Sequence, residues 1–188
     1  GIPQWETAQE IYIADLSDPD SPRLASTVKF DGADWAWGLK ASGRTLYLSS
    51  YSSLQEDGGS WVAKYYLHRI RITDPANPLL LKPVNIPGMF IDASASGQII
   101  YSSESWWDQA TSTSKNLFHA LEIAEDTAYL LGSVDLPGYA YGILVKDGAA
   151  FLSTQLWSPR LLQDGKSQEW VYQSSLVTID LTDPGALR

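Results

Sequence analysis

Cysteine is absent from this 188-residue chain, methionine occurs once and histidine twice. Without cysteine there is no disulfide, no thiolate metal ligand and no cysteine nucleophile. Cysteine-free chains occur in reducing and oxidising compartments alike, so this absence does not place the protein. Positive charge is also scarce: 13 Lys and Arg against 22 Asp and Glu give a formal charge of −9 and a pI near 4.5. A surface that follows nucleic-acid phosphates needs clustered Lys and Arg to displace counterions, which argues against nucleic acid as a partner. No apolar run approaches the ~20 residues that cross a bilayer as a helix. The stretch Gly1-Ile2-Pro3-Gln4-Trp5 does not resemble a charged leader followed by an apolar segment. The expectation is a soluble chain with no transmembrane segment.

What the chain does have is aromatic and turn-forming residues. Eight Trp, ten Tyr and four Phe accompany spread-out β-branched residues, with Gly and Pro at regular stations. That composition favours strands joined by turns and predicts almost no helix. Abundant Trp, Tyr and Ser with little Lys point to an extracytoplasmic protein, whether periplasmic, cell-surface or secreted.

The strongest signal is repetition. Ile13-Ala14-Asp15-Leu16-Ser17-Asp18-Pro19, Ile70-Arg71-Ile72-Thr73-Asp74-Pro75, Leu121-Glu122-Ile123-Ala124-Glu125-Asp126 and Ile179-Asp180-Leu181-Thr182-Asp183-Pro184 align on a strand-then-turn pattern. Asp15, Arg71, Glu122 and Asp180 follow one another at intervals of 56, 51 and 58 residues. Periods of this length mark repeat architectures. Within each unit an entry segment comes first, as in Asp34-Trp35-Ala36-Trp37-Gly38, Gly88-Met89-Phe90-Ile91-Asp92 and Gly138-Tyr139-Ala140-Tyr141-Gly142. A turn at Ser42-Gly43, Ser96-Gly97 or Asp147-Gly148 leads to a second apolar segment, in which Tyr47, Tyr101 and Phe151 share one position. Calling the four predicted strands of a unit A to D, the chain reads as C–D, two complete units and A–B–C, or thirteen strands. Four short strands per unit describe the antiparallel blades of a β-propeller.

These motifs resemble those of secreted β-propeller repeats of the LVIVD type and related bacterial and archaeal propeller domains, with Glu125-Asp126 departing from the Asp-Pro turn found elsewhere. The resemblance implies a propeller and no particular reaction. The expected organisation is one all-β propeller portion: 1–33 carrying strands C–D, 34–87 and 88–137 as whole blades, and 138–188 carrying strands A–C. About three and a quarter blades make an incomplete ring, so further blades of a parent chain, or neighbouring subunits, are expected at the open edges. The chain itself is then a fragment, whether proteolytic, engineered or a natural subunit.

Function is expected on the B–C connections, read as long loops over Tyr51 to Lys64, Glu104 to Lys115 and Gln155 to Gln173, because long loops on a rigid scaffold commonly carry binding. Trp61 and Trp170 stand six residues before Leu67 and Leu176, as Trp5 does before Ile11, with Ser112 at that place in the remaining unit. Trp107 and Trp157 coincide at the loop entry beside Trp106. Such aromatics either cap their own blade or line a face that stacks a sugar, a peptide or a hydrophobic partner. The candidate ligand-binding set is therefore Trp106, Trp107, Trp157, Trp61, Trp170, Asp108 and Glu104. Asp31, Asp34, Glu56, Asp57, Asp135, Asp164 and Glu169 add carboxylates to the same face. These could hold Ca²⁺, although the Asp-x-Asp-x-Asp-Gly spacing is missing; no resident cofactor or metal site is assigned.

His68 and His119 fall at equivalent strand positions, but the other two units carry Tyr12 and Val177 there, so they read as strand residues. The run Ser49-Ser50-Tyr51-Ser52-Ser53 lacks a Gly-x-Ser-x-Gly elbow and is expected to have no nearby histidine, leaving a serine nucleophile unsupported. The expected function is non-catalytic binding or assembly, with a protein or glycan partner engaged by the B–C face. The alternative is an extracytoplasmic hydrolase or lyase at a channel mouth built from Asp34, Asp92 and Glu104, completed by blades outside this chain.

Overall fold

The computed structural model describes residues 9–30, 35–55, 61–108, 110–111, 113–161 and 168–188, and these form strands and turns without helix. The first sheet pairs β1 (Gln9–Asp15) with β2 (Arg23–Phe30). The second joins β3 (Trp35–Ser42), β4 (Thr45–Gln55) and β5 (Trp61–Arg71), with β6 (Leu79–Leu80) and β7 (Val84–Ile86) both on the free side of β5. The third runs β8 (Met89–Ala93), β9 (Ile99–Asp108), β10 (Thr113–Ala124), β11 (Thr127–Asp135) in chain order. The fourth is β12 (Tyr139–Lys146), β13 (Ala149–Leu161), β14 (Gln168–Asp180). Every ladder is antiparallel between strands close in sequence. The all-β expectation therefore holds for the described residues.

The repeated turns have a common chemistry. In Asp18-Pro19, Asp74-Pro75 and Asp183-Pro184 the aspartate carbonyl accepts the N–H three residues on, at 3.1, 3.0 and 3.0 Å. Its carboxylate accepts the N–H two residues on in all three. Proline fixes φ at the second turn position and the aspartate side chain closes a second ring, so the shared Asp-Pro pair folds the same way each time. Where Glu125-Asp126 replaces Asp-Pro, β10 and β11 meet in a two-residue turn with Glu125 at φ 53°.

Two differences from the sequence reading have local causes. The strand predicted from Leu79 to Ile86 is split into β6 and β7, since Pro83 has no N–H to give the ladder. More consequentially, the B–C connections are not long loops. Pairing continues out to Gln55↔Trp61, Asp108↔Thr113 and Leu161↔Gln168, so β4–β5, β9–β10 and β13–β14 are extended hairpins. Ser, Gln and Lys recur on both faces of these arms, which removes the apolar alternation that marks a strand.

The sheets pack face to face in chain order through three apolar layers. Val28 and Phe30 of the first meet Leu48 and Ile70 of the second. Tyr47, Leu67, Val84 and Ile86 of the second meet Phe90, Ile100 and Leu121 of the third. Ile91, Tyr101, Phe118 and Ala120 of the third meet Ala140, Ala150, Leu152 and Ile179 of the fourth. The period-2 alternation makes this possible: Ile100 and Tyr101 are neighbours in sequence yet belong to different layers. Gly88 sits at φ 68° where a Cβ would strike the Ser103 carbonyl and the Glu104 side chain, so the junction between second and third sheets needs glycine.

Candidate functional site: an aromatic cleft between the third and fourth sheets

The last sheet differs from the middle ones in what covers it. Leu67, Phe118 and Leu176 each pair with a serine at the same repeat position, Ser49, Ser103 and Ser153. Leu67 and Phe118 are fully buried by the following sheet, whereas Leu176 is 76% exposed. Phe151, whose counterparts Tyr47 and Tyr101 are buried, is exposed beside it with Leu144 and Tyr172. The fourth sheet thus presents a bare apolar face of the kind that its predecessors bury.

Further out along the hairpin arms a different rule applies. Strand alternation turns Tyr101, Ser103, Ser105 and Trp107 toward the fourth sheet, and Tyr101, the lowest of them, is sealed in the shared core. Trp107 is 60% exposed although the sheet it faces is in place. There the two sheets diverge around a cleft of about 300 Å³, lined on one side by Trp107, Thr113, Ser114 and Asn116 and on the other by Leu156, Ser158 and Pro159. Leu136 and Pro137 close its base, and Trp157 and Trp170 contribute at the rim. Both rim residues remain mostly exposed. Trp157 pairs with Tyr172, their ring centroids 5.0 Å apart, so the aromatic surface continues from the cleft onto the bare face of the fourth sheet. Asn116 is buried and its side-chain oxygen accepts the Ser105 hydroxyl at 2.8 Å, which fixes a polar floor.

The structure brings together Trp107, Trp157 and Trp170 of the sequence-predicted set and places Trp106, Asp108 and Glu104 away from them. Glu104 and Trp106 lie on the opposite face of the third sheet, one alternation step from Trp107. Asp108 closes the hairpin turn: its carboxylate accepts the Ala110 N–H at 2.9 Å and the Thr111 hydroxyl at 2.7 Å. The hydroxyl bond leads in holding its pKa below the usual carboxylate range. Glu169 is bound by Arg160 across the β13–β14 ladder. Asp92 lies 3.5 Å from Lys40. Trp5, Asp31, Asp34, Glu56, Asp57, Ser112 and Asp164, and the side chain of Trp61, lie outside the described residues. Among the described residues no three acidic or imidazole groups converge as a cation site.

The sequence reading missed a polar arrangement inside the sheets. His68 does have a serine partner, Ser50 Oγ, 2.7 Å from its Nε2, because β4 and β5 bring the two strands into register. His119 lies between Ser133 Oγ, 2.8 Å from Nδ1, and Glu104 Oε1, 3.2 Å from Nε2, bridging β9, β10 and β11. Burial pushes both imidazoles below their ordinary pKa, with Glu104 pulling His119 the other way. Both are therefore neutral near pH 7, and His119 uses one ring nitrogen as donor and the other as acceptor. His68 Nδ1 is buried without a partner among the described residues, so the Ser50–His68 pair lacks the third group that orients a catalytic base. These bonds satisfy buried polar atoms in the sheet interior.

Comparison of the chain with family models, with curated proteins and with solved structures returns no match.

Proposed function

We propose that this chain is a sector of a β-propeller serving as a non-catalytic binding and assembly domain, with ligand or partner held at the hairpin end of the gap between successive sheets. The observation that carries the reading is Trp107: it stays exposed with its neighbouring sheet in place, unlike Phe118 on the same face. Exposed aromatic side chains beside small polar groups in a concave site are what ligand sites require. The four-strand units, their shared turn chemistry and the serial apolar layers support the propeller arrangement. The bare fourth-sheet face supports assembly, because Leu176 and Phe151 stand where a further sheet of the same repeat covers their counterparts. An extracytoplasmic location belongs to this reading.

The test has two arms. Tryptophan emission of the wild type is screened against soluble glycans and peptides, then repeated with Trp107→Ala and Trp157→Ala. Ligands whose effect is lost in Trp107→Ala support the cleft; ligands bound equally by both variants put the site elsewhere. In the second arm Leu176→Asp is expected to reduce self-association and dye binding to exposed apolar surface while leaving the thermal midpoint unchanged. A lowered midpoint would show that Leu176 is already packed within the chain.

A further inference from the structure

The cleft between the third and fourth sheets carries information about what fills it. None of its lining side chains is ionisable: three Trp, two Pro and two Leu provide apolar surface, and Thr113, Ser114, Asn116 and Ser158 provide hydroxyl and amide groups. A charged ligand would be desolvated there without a counter-charge, which disfavours phosphates, carboxylates and ammonium groups as the contacting moieties. The walls are sheet faces, with Ser114↔Trp107 and Ser158↔Val171 already paired in ladders. Their other sides are open, however: β11 ends at Leu117↔Asp135 and β12 at Tyr139↔Gln155, so among the described residues no strand pairs with the outer edges of Thr113 to Lys115 or of β13 beyond Gln155, and an extended peptide joining them is the rival occupant.

Neutral peptides and neutral sugars remain, and their hydrogen-bonding differs. A proline-rich helix presents mainly carbonyl acceptors, so its groove needs donors. Hydroxyl and amide side chains both donate and accept, which matches a ligand whose periphery does the same. A pyranose ring combines such a periphery with an apolar C–H face that lies flat on an indole. The aromatic surface also extends beyond one ring's reach, from Trp107 through Trp157 to Tyr172, 5.0 Å from Trp157. The volume of about 300 Å³ lies at the lower end of the range of ligand pockets, as for an open groove taking part of a longer molecule.

We propose that the cleft binds a neutral oligosaccharide, one sugar ring seated on Trp107 above Ser114 and Asn116 and further rings running over Trp157 and Tyr172 toward the face of the fourth sheet. This rests on the reading of the cleft as the binding site given above.

Isothermal titration with cellohexaose, mannohexaose and chitohexaose, and with decaproline and a neutral Thr-Val-Ser-Thr-Val-Ser hexapeptide as the peptide arms, tests it on the intact chain. The expected result is binding of at least one oligosaccharide with a Kd of about 1 mM or tighter, weakened about tenfold or more by Trp107→Ala and largely kept by Trp107→Phe. Tyr172→Ala should weaken the hexasaccharide and leave the disaccharide of the same linkage unchanged. Because Trp107 is exposed, circular-dichroism melts of the variants should match the wild type. Trp107-dependent binding of either peptide, with no sugar bound, overturns the sugar assignment and leaves the cleft standing. Sugar binding untouched by Trp107→Ala overturns the cleft itself. Absence of heat with all five probes overturns the proposal.

Discussion

Leu67 in the second sheet and Leu176 in the fourth are the same residue type at the same repeat position, each opposite a serine. One is sealed and the other bare. Their own strands do not cause this, since strand geometry and register match. Burial in this molecule is conferred by the next sheet. Trp107 and Trp157 are likewise equivalent, and both are 60% exposed although only Trp107 faces another sheet of the chain. Between the third and fourth sheets, the neighbour therefore covers the lower part of the gap and leaves the hairpin end open. The first pair speaks to assembly and the second to binding, and one set of stacked repeats supplies both.

The comparison can be broken where the buried members are largest. Phe118→Ala is expected to destabilise by about 3–5 kcal/mol and Leu67→Ala by about 2–5 kcal/mol, since each leaves a cavity between sheets; urea unfolding checks both. A much smaller loss would mean that the sheets do not depend on one another. Gly88→Ala should cost about 1–3 kcal/mol through a disallowed φ and a backbone collision. If it proves neutral, the junction is looser than described.

The pH dependence sharpens the picture of the sheet interiors. Burial lowers the folded pKa of His68 and His119, while the unfolded chain takes up protons near pH 6.5. Stability from the neutral imidazoles is therefore full above about pH 6.5 and declines as the pH falls below it. Unfolding curves between pH 7 and 5 should show this, with a shallower slope in His68→Leu even though that variant is less stable overall. An unchanged slope would exclude His68 as a contributor. At the small end, Leu176→Ala should shift stability by no more than about 0.5 kcal/mol.

The inner halves of the sheets were legible because Asp-Pro turns and the Gly43, Gly97 and Gly148 turns punctuate them and apolar alternation is strong. The hairpin arms were not, because Ser52, Ser53, Lys64 and Lys115 give no contrast between faces. Reading those arms as loops also concealed that Trp106 and Trp107 must point oppositely, a consequence of any paired strand. The common register of Trp107 and Trp157 did mark part of the cleft. Its polar wall did not show, since Ser114, Asn116 and Ser158 are ordinary strand residues until two sheets face each other. The Glu104–His119–Ser133 bridge depends on three strands in register and a bulge at Ala120/Leu121, which spacing within one strand does not encode.

The absence of cysteine allows a direct test of whether the neighbouring sheet decides burial. Single-cysteine variants Leu67→Cys and Leu176→Cys are treated with a thiol reagent under native conditions, and their labelling rates are compared with those of the unfolded chains. The account predicts rapid labelling of Leu176→Cys, close to the unfolded rate, and strong protection of Leu67→Cys. Equal rates at the two positions would contradict it.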